Sequence, residues 1–325
     1  MRTPTVSDCS EELLSKLTIA IPIYNAETYL AGAITSCLHQ AGHIVLYDNC
    51  STDKTNIICE EFALKHPHVS YVRHDTNIGA FQNFKRGLFD CKTEYFQWFG
   101  SHDIMGDGFT LPLLNALEKN SDISIASGNI VFINESGRAI RKETGLNYSS
   151  RDLMHDSPLV RMLARTKDFR ACTIIYHVLR TSHARRAWDD QPCLAFDDVF
   201  LLRMAAQGKF FYTPKVVFYA RDLSASRNGD NVDRQKKDMS GSAKIVIPPD
   251  LVIMNKKMIE TVISNVHDKQ DIKIAHRIFN AIYYRYHESR IHRRIRRWNR
   301  RVSIFSVIIL VSIAAYYVYN AYLLK

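Results

Sequence analysis

The sequence contains no Cys-x-x-Cys pair and no Cys/His run with metal-ligand spacing. Its seven cysteines (Cys9, Cys37, Cys50, Cys59, Cys91, Cys172, Cys193) are scattered and odd in number. That argues against a zinc ribbon or a disulfide framework and fits reduced thiols in a reducing compartment. No Gly-x-Gly-x-x-Gly follows the first apolar strand, where the chain reads PIYNAETYL, which sets aside a dinucleotide-binding oxidoreductase. There is no internal repeat. Residues Met1 to Ser15 are polar and acidic with no apolar core, so they do not read as a secretory signal. Charge is missing altogether from Val302 to Leu324.

What is present suits a folded chain: 46% hydrophobic and 23% charged residues over 325 positions, with room for one large domain and appendages. The net charge is +10, but Arg285 to Arg301 holds eight Arg and one Glu, leaving about +3 elsewhere. The basicity is local. The charge-free run beyond it has 23 residues, about 35 Å of helix against a hydrocarbon core of about 30 Å. Tyr316, Tyr317, Tyr319 and Tyr322 would sit near its distal interface. The alternative is a buried C-terminal helix of a soluble protein, which the length and the Arg-rich flank disfavour.

By the positive-inside rule the long N-terminal part faces the cytoplasm, as a single-pass protein of the inner (cytoplasmic) membrane. Asp271 to Arg301 is basic and aromatic with helical periodicity, suited to the headgroup surface. Nucleic acid is not expected as a partner, because the basic block abuts the span. The expected division is a folded domain over 1–223, a linker and basic amphipathic helical region over 224–301, and a transmembrane helix over 302–324.

The first 220 or so residues alternate strand and helix signals. Strands are expected at Leu17–Ile23, His43–Tyr47, Val69–Arg73 and Tyr95–Phe99, with helices at Ala26–Gln40, Lys54–His66 and Gly79–Asp90. This order implies an α/β fold, a Rossmann-like and mostly parallel sheet flanked by helices. Further strands are expected at Ile123–Ile133 and Phe210–Tyr219, and Asn134 to Gln191 reads as short basic helices. Binding groups should gather at the C-terminal strand ends.

Four polar clusters fall there. Pro22-Ile23-Tyr24-Asn25 ends the first strand, where Asn25 is also a natural helix cap. Asp48-Asn49-Cys50-Ser51-Thr52-Asp53 ends the second. Thr52 or Asp53 suits an N-cap, whereas Asp48 is placed to accept hydrogen bonds from a ligand. Arg73-His74-Asp75-Thr76-Asn77-Ile78-Gly79 follows the third, with Gly79 permitting close backbone approach. Gly100-Ser101-His102-Asp103 follows the fourth. A carboxylate leaving a buried strand is placed to hold a divalent cation that bridges phosphates; the plain alternative is a turn aspartate.

The succession IPIYN, DNCSTDKT, NIGAFQNFKRGL and a strand ending in aspartate resembles the inverting family 2 glycosyltransferases with a GT-A fold, of the bacterial surface-polysaccharide type, over Leu17 to Arg221. The resemblance implies that Asp48 binds the nucleotide base and Asp103 the metal, Mn²⁺ or Mg²⁺. It implies that Pro22, Tyr24, Asn25, Arg73, Asn77 and Gly79 line the nucleotide pocket. One departure is visible: the family carries further carboxylates before its metal position, whereas this chain has Ser101-His102-Asp103. His102 is then a second metal ligand, a sugar contact or a structural residue.

The family's Glu-Asp pair, followed by Arg and Gly, is matched by Phe196-Asp197-Asp198, Arg203 and Gly208. The resemblance puts the catalytic base on Asp197, with Asp198 the alternative; both also suit a helix N-terminus as plain dipole partners. The implied activity is transfer of a sugar, hexosyl or N-acetylhexosaminyl, from a nucleotide-sugar, a UDP-sugar by preference, to a lipid-linked or polysaccharide hydroxyl at the cytoplasmic membrane face. The rival is a non-catalytic, membrane-anchored sugar-nucleotide-binding subunit of a polysaccharide assembly complex.

Overall fold

The computed structural model describes residues 6–143, 150–166, 172–192 and 196–223, together with Lys257, Glu260, Thr261, Ser264 and Lys273. All belong to the first of two compact units, Met1–Phe279 and Asn280–Lys325. The expected linker over 224–249, most of the basic helical region and the apolar run 302–324 lie outside the described residues. Among the described residues no helix is long and apolar enough to cross a membrane.

A short helix, α1 (Val6–Ser15), leads into β1 (Leu17–Ile23). There follow α2 (Leu30–Cys37), β2 (His43–Asp48), α3 (Thr55–Lys65), β3 (Val69–Arg73), α4 (Ala80–Asp90) and β4 (Tyr95–Trp98). These four strands pair in parallel in the order β3-β2-β1-β4. Leu17, Ile19, Ala20 and Ile21 of β1 are fully buried, as a central parallel strand covered on both faces requires.

The second half of the sheet is mixed. It uses β5 (Ile104–Met105), β6 (Ile123–Ile133), β7 (Ala139–Glu143), β8 (Val178–Arg180) and β9 (Lys209–Arg221). The order continues from β4 through β8, β6 and β9 to β5, with β7 paired to β6 off this path. Only β6 and β9 are parallel here; β4·β8, β6·β8, β6·β7 and β5·β9 run antiparallel. The sheet expected to be mostly parallel is therefore mixed: parallel through β3-β2-β1-β4 and at β6·β9, antiparallel at the other four pairings. The reversing strands β5, β7 and β8 span 2, 5 and 3 residues, too short to carry a periodic apolar signal.

The remaining helices are α5 (Thr110–Lys119), α6 (Ser150–Leu153), α7 (Pro158–Thr166), α8 (Thr181–Ala187) and α9 (Phe196–Gln207), with a 3₁₀ turn at Cys172–Tyr176. Two apolar cores lie on the two faces of the sheet. One joins α1, α2 and α5 through Leu13, Leu30, Ile34, Leu113 and Leu117. The other joins α4, α7, α8 and α9 through Phe81, Leu88, Met162, Ala184 and Leu201.

Pro22 shows how the strand ends open towards a site. The carbonyl of Ala20 accepts from Phe99 N–H and that of Ile23 from Asn49 N–H. Alternation therefore turns the missing donor of Pro22 to the β4 side, beyond Ala20–Trp98, the last β1–β4 pair. No ladder bond is lost there. The helix expected from Ala26 starts only at Leu30, because Asn25 takes a left-handed turn (φ 47°) and Ala26 to Tyr29 form a turn before the helix.

Candidate functional site

The loops after β1 and β2 are stitched into one surface. Asn25 N–H donates to Ser51 Oγ at 2.9 Å and Ala26 N–H to Thr55 Oγ1 at 2.8 Å. In return Asn25 Oδ1 accepts from Thr52 N–H at 2.9 Å, and Glu27 Oε2 from Lys54 N–H at 3.0 Å. Asn25 and Cys50 both hold positive φ, 47° and 62°. Asn tolerates this through its short polar side chain; Cys does not, so Cys50 stores local strain on the order of 1 kcal/mol. Tyr24 is exposed beside this surface.

Asp48 sits beneath it, 0% exposed. One carboxylate oxygen accepts from Ser51 N–H at 2.9 Å, the other from the Tyr71 hydroxyl at 2.9 Å. Arg73 Nε lies 3.8 Å from the second oxygen, and its Nη2 donates to Ser51 O at 2.9 Å. The Asp48 side chain also braces the loop, and Arg73, 41% exposed, reaches outward beside it. Burial and the bond to Asp48 together raise the Tyr71 hydroxyl well above its ordinary pKa, so it stays a donor.

Asn77 joins the third loop to the second. Its Oδ1 accepts from Asn49 Nδ2 at 3.0 Å and Gly79 N–H at 2.9 Å, while Asn49 Oδ1 accepts from Ile78 N–H at 2.8 Å. Gly79, at φ 83°, then opens α4. Beyond the expected close backbone approach, its positive φ gives a further reason for glycine, because a side chain would strain that backbone.

The fourth cluster is a tight turn. Asp103 N–H donates to Gly100 O at 3.1 Å, and a β-carbon on Gly100 would fall 2.2 Å from Asp103 Oδ2. Asp103 is 3% exposed, its Oδ1 accepting from Arg221 N–H at 2.8 Å with His102 Nε2 at 3.8 Å. Burial raises its pKa, opposed by the charges of His102 and Arg221. Arg221 fastens the turn: Nε donates to His102 O, Nη1 to Asn134 O and Glu135 O, all at 2.8 Å. Its guanidinium also lies 4.5 Å over the Tyr29 ring.

No group of three His, Cys, Asp or Glu side chains converges among the described residues. Asp103 and His102 thus form a two-donor foothold, not a cage. Of the two, the Asp103 carboxylate suits Mg²⁺ or Mn²⁺, hard ions that keep waters and take phosphate oxygens, whereas the imidazole is a softer donor better matched to Mn²⁺ than Mg²⁺.

Asp197 and Asp198 open α9 on the face that carries α4. Phe196 packs edge-on against Phe81 and Phe84 of α4 at 5.5 and 5.8 Å. Asp198 is buried, with Arg165 Nη2 donating to its Oδ1 at 2.7 Å. Asp197 is half-buried, and its Oδ1 accepts from Asp198 N–H at 3.0 Å. The phenylalanine in place of the expected glutamate has a physical reason: position 196 belongs to an aromatic cluster in which a carboxylate would be desolvated.

Sequence reasoning missed Tyr71, Arg165 and Arg221. Tyr71 was legible in principle, since it stands two residues before Arg73 on β3 and so shares its face. Arg165 and Arg221 carry no local signal; their partners lie 33 and 118 positions away.

The family model for Glycosyl transferase family 2 matches residues 18–180. The minor teichoic acid biosynthesis protein GgaB of Bacillus subtilis (strain 168) is 30% identical over 120 residues, 35% of this chain and 13% of that protein. The glycosyltransferase GlyG of Streptococcus pneumoniae serotype 4 is 30% identical over 124 residues, 37% of this chain and 40% of that protein. The chain therefore spans less than half the length of these two relatives. The crystal structure of S. aureus TarS 1-349 in complex with UDP-GlcNAc superposes with a TM-score of 0.57 at 15% identity, covering 84% of this chain and 74% of that one; the two share a fold.

Proposed function

The chain belongs to glycosyl transferase family 2, and from that premise we propose that this glycosyltransferase moves a sugar from a UDP-sugar, with inversion, to a hydroxyl of a lipid-linked or polysaccharide acceptor. The observation that carries this reading is the gathering of four polar clusters at the C-terminal ends of the parallel strands β1 to β4. The UDP preference draws on the bound UDP-GlcNAc of TarS, and the acceptor class on the teichoic acid pathway named for GgaB.

The braced loops would receive the nucleotide. Tyr24 offers an exposed ring, Arg73 a cation and donor, and the backbone of 49–53 is held in place by Asp48, Asn25 and Asn77. Asp48 acts by fixing that wall. His102 and Asp103 would hold Mg²⁺ or Mn²⁺, whose chemistry is to offset charge growing on the departing diphosphate. Asp197, the less buried of its pair, would take the proton from the attacking hydroxyl, while Arg165 pins Asp198 and keeps the helix start in register. A single displacement by the hydroxyl on the far side of the leaving diphosphate inverts the sugar carbon.

We place the enzyme at the cytoplasmic membrane face, on the charge-free run 302–324 and the eight arginines before it. Anchoring would raise the effective concentration of a membrane-borne acceptor.

Calorimetric titration with UDP, with and without Mn²⁺, tests the pocket: binding strengthened by metal, and no longer so in Asp103→Ala, is the expected result. Asp197→Asn should keep UDP affinity and lose turnover by about 10²–10⁴-fold. Absence of UDP binding in the wild type would refute the donor assignment, and full turnover in Asp197→Asn the base assignment.

A further inference from the structure

Lys257 lies far along the chain from the strand-end clusters, yet it is 4% exposed. A buried ammonium requires a counter-charge. Its Nζ donates to Asp189 Oδ2 at 2.8 Å and to Gln191 O at 2.8 Å. The same Asp189 oxygen receives Arg203 Nη2 of α9 at 3.0 Å. Arg203 continues outward on both sides, with Nη1 to Trp188 O and Nε to Thr261 Oγ1, each at 3.3 Å. Thr261 stands one helical turn after Lys257, is also buried, and donates its hydroxyl to Lys257 O at 2.8 Å.

One side chain of the C-terminal segment, Lys257, and one of α9, Arg203, therefore converge on a single carboxylate, and Thr261 ties the two together. That carboxylate belongs to the stretch just before α9. Trp188, its neighbour, packs its ring 5.9 Å from Phe196 and 6.2 Å from Phe200, and Phe196 is bonded directly to Asp197. The path from Lys257 to the carboxylate of α9 is thus continuous: ion pair, backbone, aromatic contact. Buried ion pairs add little net stability, but each fixes one geometry, because a charge without its partner is costly there.

We propose that Lys257 is a positioning residue: it latches the C-terminal segment onto residues 188–191 and thereby holds Asp197 where the acceptor hydroxyl arrives. The latch rests on the reading of Asp197 as the base. It couples the turn that carries Lys257 and Thr261 to the chemistry.

The test uses the full chain with Lys257→Met, Asp189→Asn and the double variant. Three readouts are taken: hydrogen exchange of 188–201, affinity for UDP, and UDP release from UDP-glucose and UDP-N-acetylglucosamine. Lys257→Met is expected to speed exchange in 188–201 by about tenfold, with 43–53 and UDP affinity unchanged. UDP release should fall by a similar factor, and the double variant should lose no more than either single one, as coupled partners do. Unchanged exchange in 188–201 overturns the latch. So does faster exchange spread evenly through 43–53, which marks a general loss of stability. Local exchange that rises while Asp197→Asn releases UDP at the wild-type rate keeps the Lys257 contact and removes the base assignment instead.

Discussion

Gly100 and Asp103 are a pair in which one residue's absent side chain makes room for the other's carboxylate. A methyl on Gly100 would meet Asp103 Oδ2 at 2.2 Å and Cγ at 2.9 Å, distances no carbon tolerates. The carboxylate would have to leave, abandoning the bond from Arg221 N–H. Gly100→Ala is therefore expected to abolish the metal-dependent part of UDP binding much as Asp103→Ala does. Its stability cost should be about 1–3 kcal/mol, as for other overpacked sites. Calorimetry and denaturant unfolding of the same sample separate the two effects.

Helix α9 is held at both ends by arginines of α7. At its start Arg165 meets Asp198 at 2.7 Å, with the two side chains 1% and 8% exposed. At its end Arg161 donates to Ala205 O and Ala206 O at 2.8 and 3.2 Å, satisfying carbonyls that a helix terminus leaves open. The two clamps are not equivalent. Losing Arg161 frays a terminus, whereas losing Arg165 leaves a buried carboxylate without its cation. Arg165→Met is expected to cost about 3–5 kcal/mol, read as a lower urea midpoint at unchanged slope. The positive charge of Arg180, Arg185 and Arg221 likewise points at backbone carbonyls of other elements.

For the whole domain, two inward histidines set an acid limit. His177 is fully buried between Phe109 and Phe218, with ring centroids 5.4 Å from each, and burial pushes its pKa from 6.5 down to about 4. His183, half-buried against Ser124, is likewise pushed down to about 4, by burial and by Arg186 and Arg180. Unfolded, both rings take up protons near pH 6.5, so between that value and 4 the unfolded chain binds more protons. Their contribution to stability is therefore complete above pH 6.5 and is lost as pH falls towards 4. For His177 alone the loss amounts to roughly 3 kcal/mol. Chemical denaturation from pH 7 to 4.5 should show this decline, and His177→Phe should flatten part of it.

Local rules acting on the sequence determined the parallel half of the sheet and the four strand-end clusters. Apolar runs such as LTIAIPI can bury both faces only as central strands, and the polar groups that end them must gather at one edge. The tertiary structure alone decided the rest. In the mixed half only β6 and β9 were legible; the short reversing strands β5, β7 and β8 become strands because a neighbour supplies their partners. The direction of a carboxylate depends on what surrounds it: Asp48 turns inward because Tyr71, Ser51 and Arg73 converge on it. Asp198 does so because Arg165 is there, which leaves Asp197 the more open of the pair. Arg221 meets Asp103, and Lys257 meets Asp189, only after folding has brought together residues 118 and 68 positions apart. Spacing along a chain carries no information about such contacts, because they are set by the packing of whole elements.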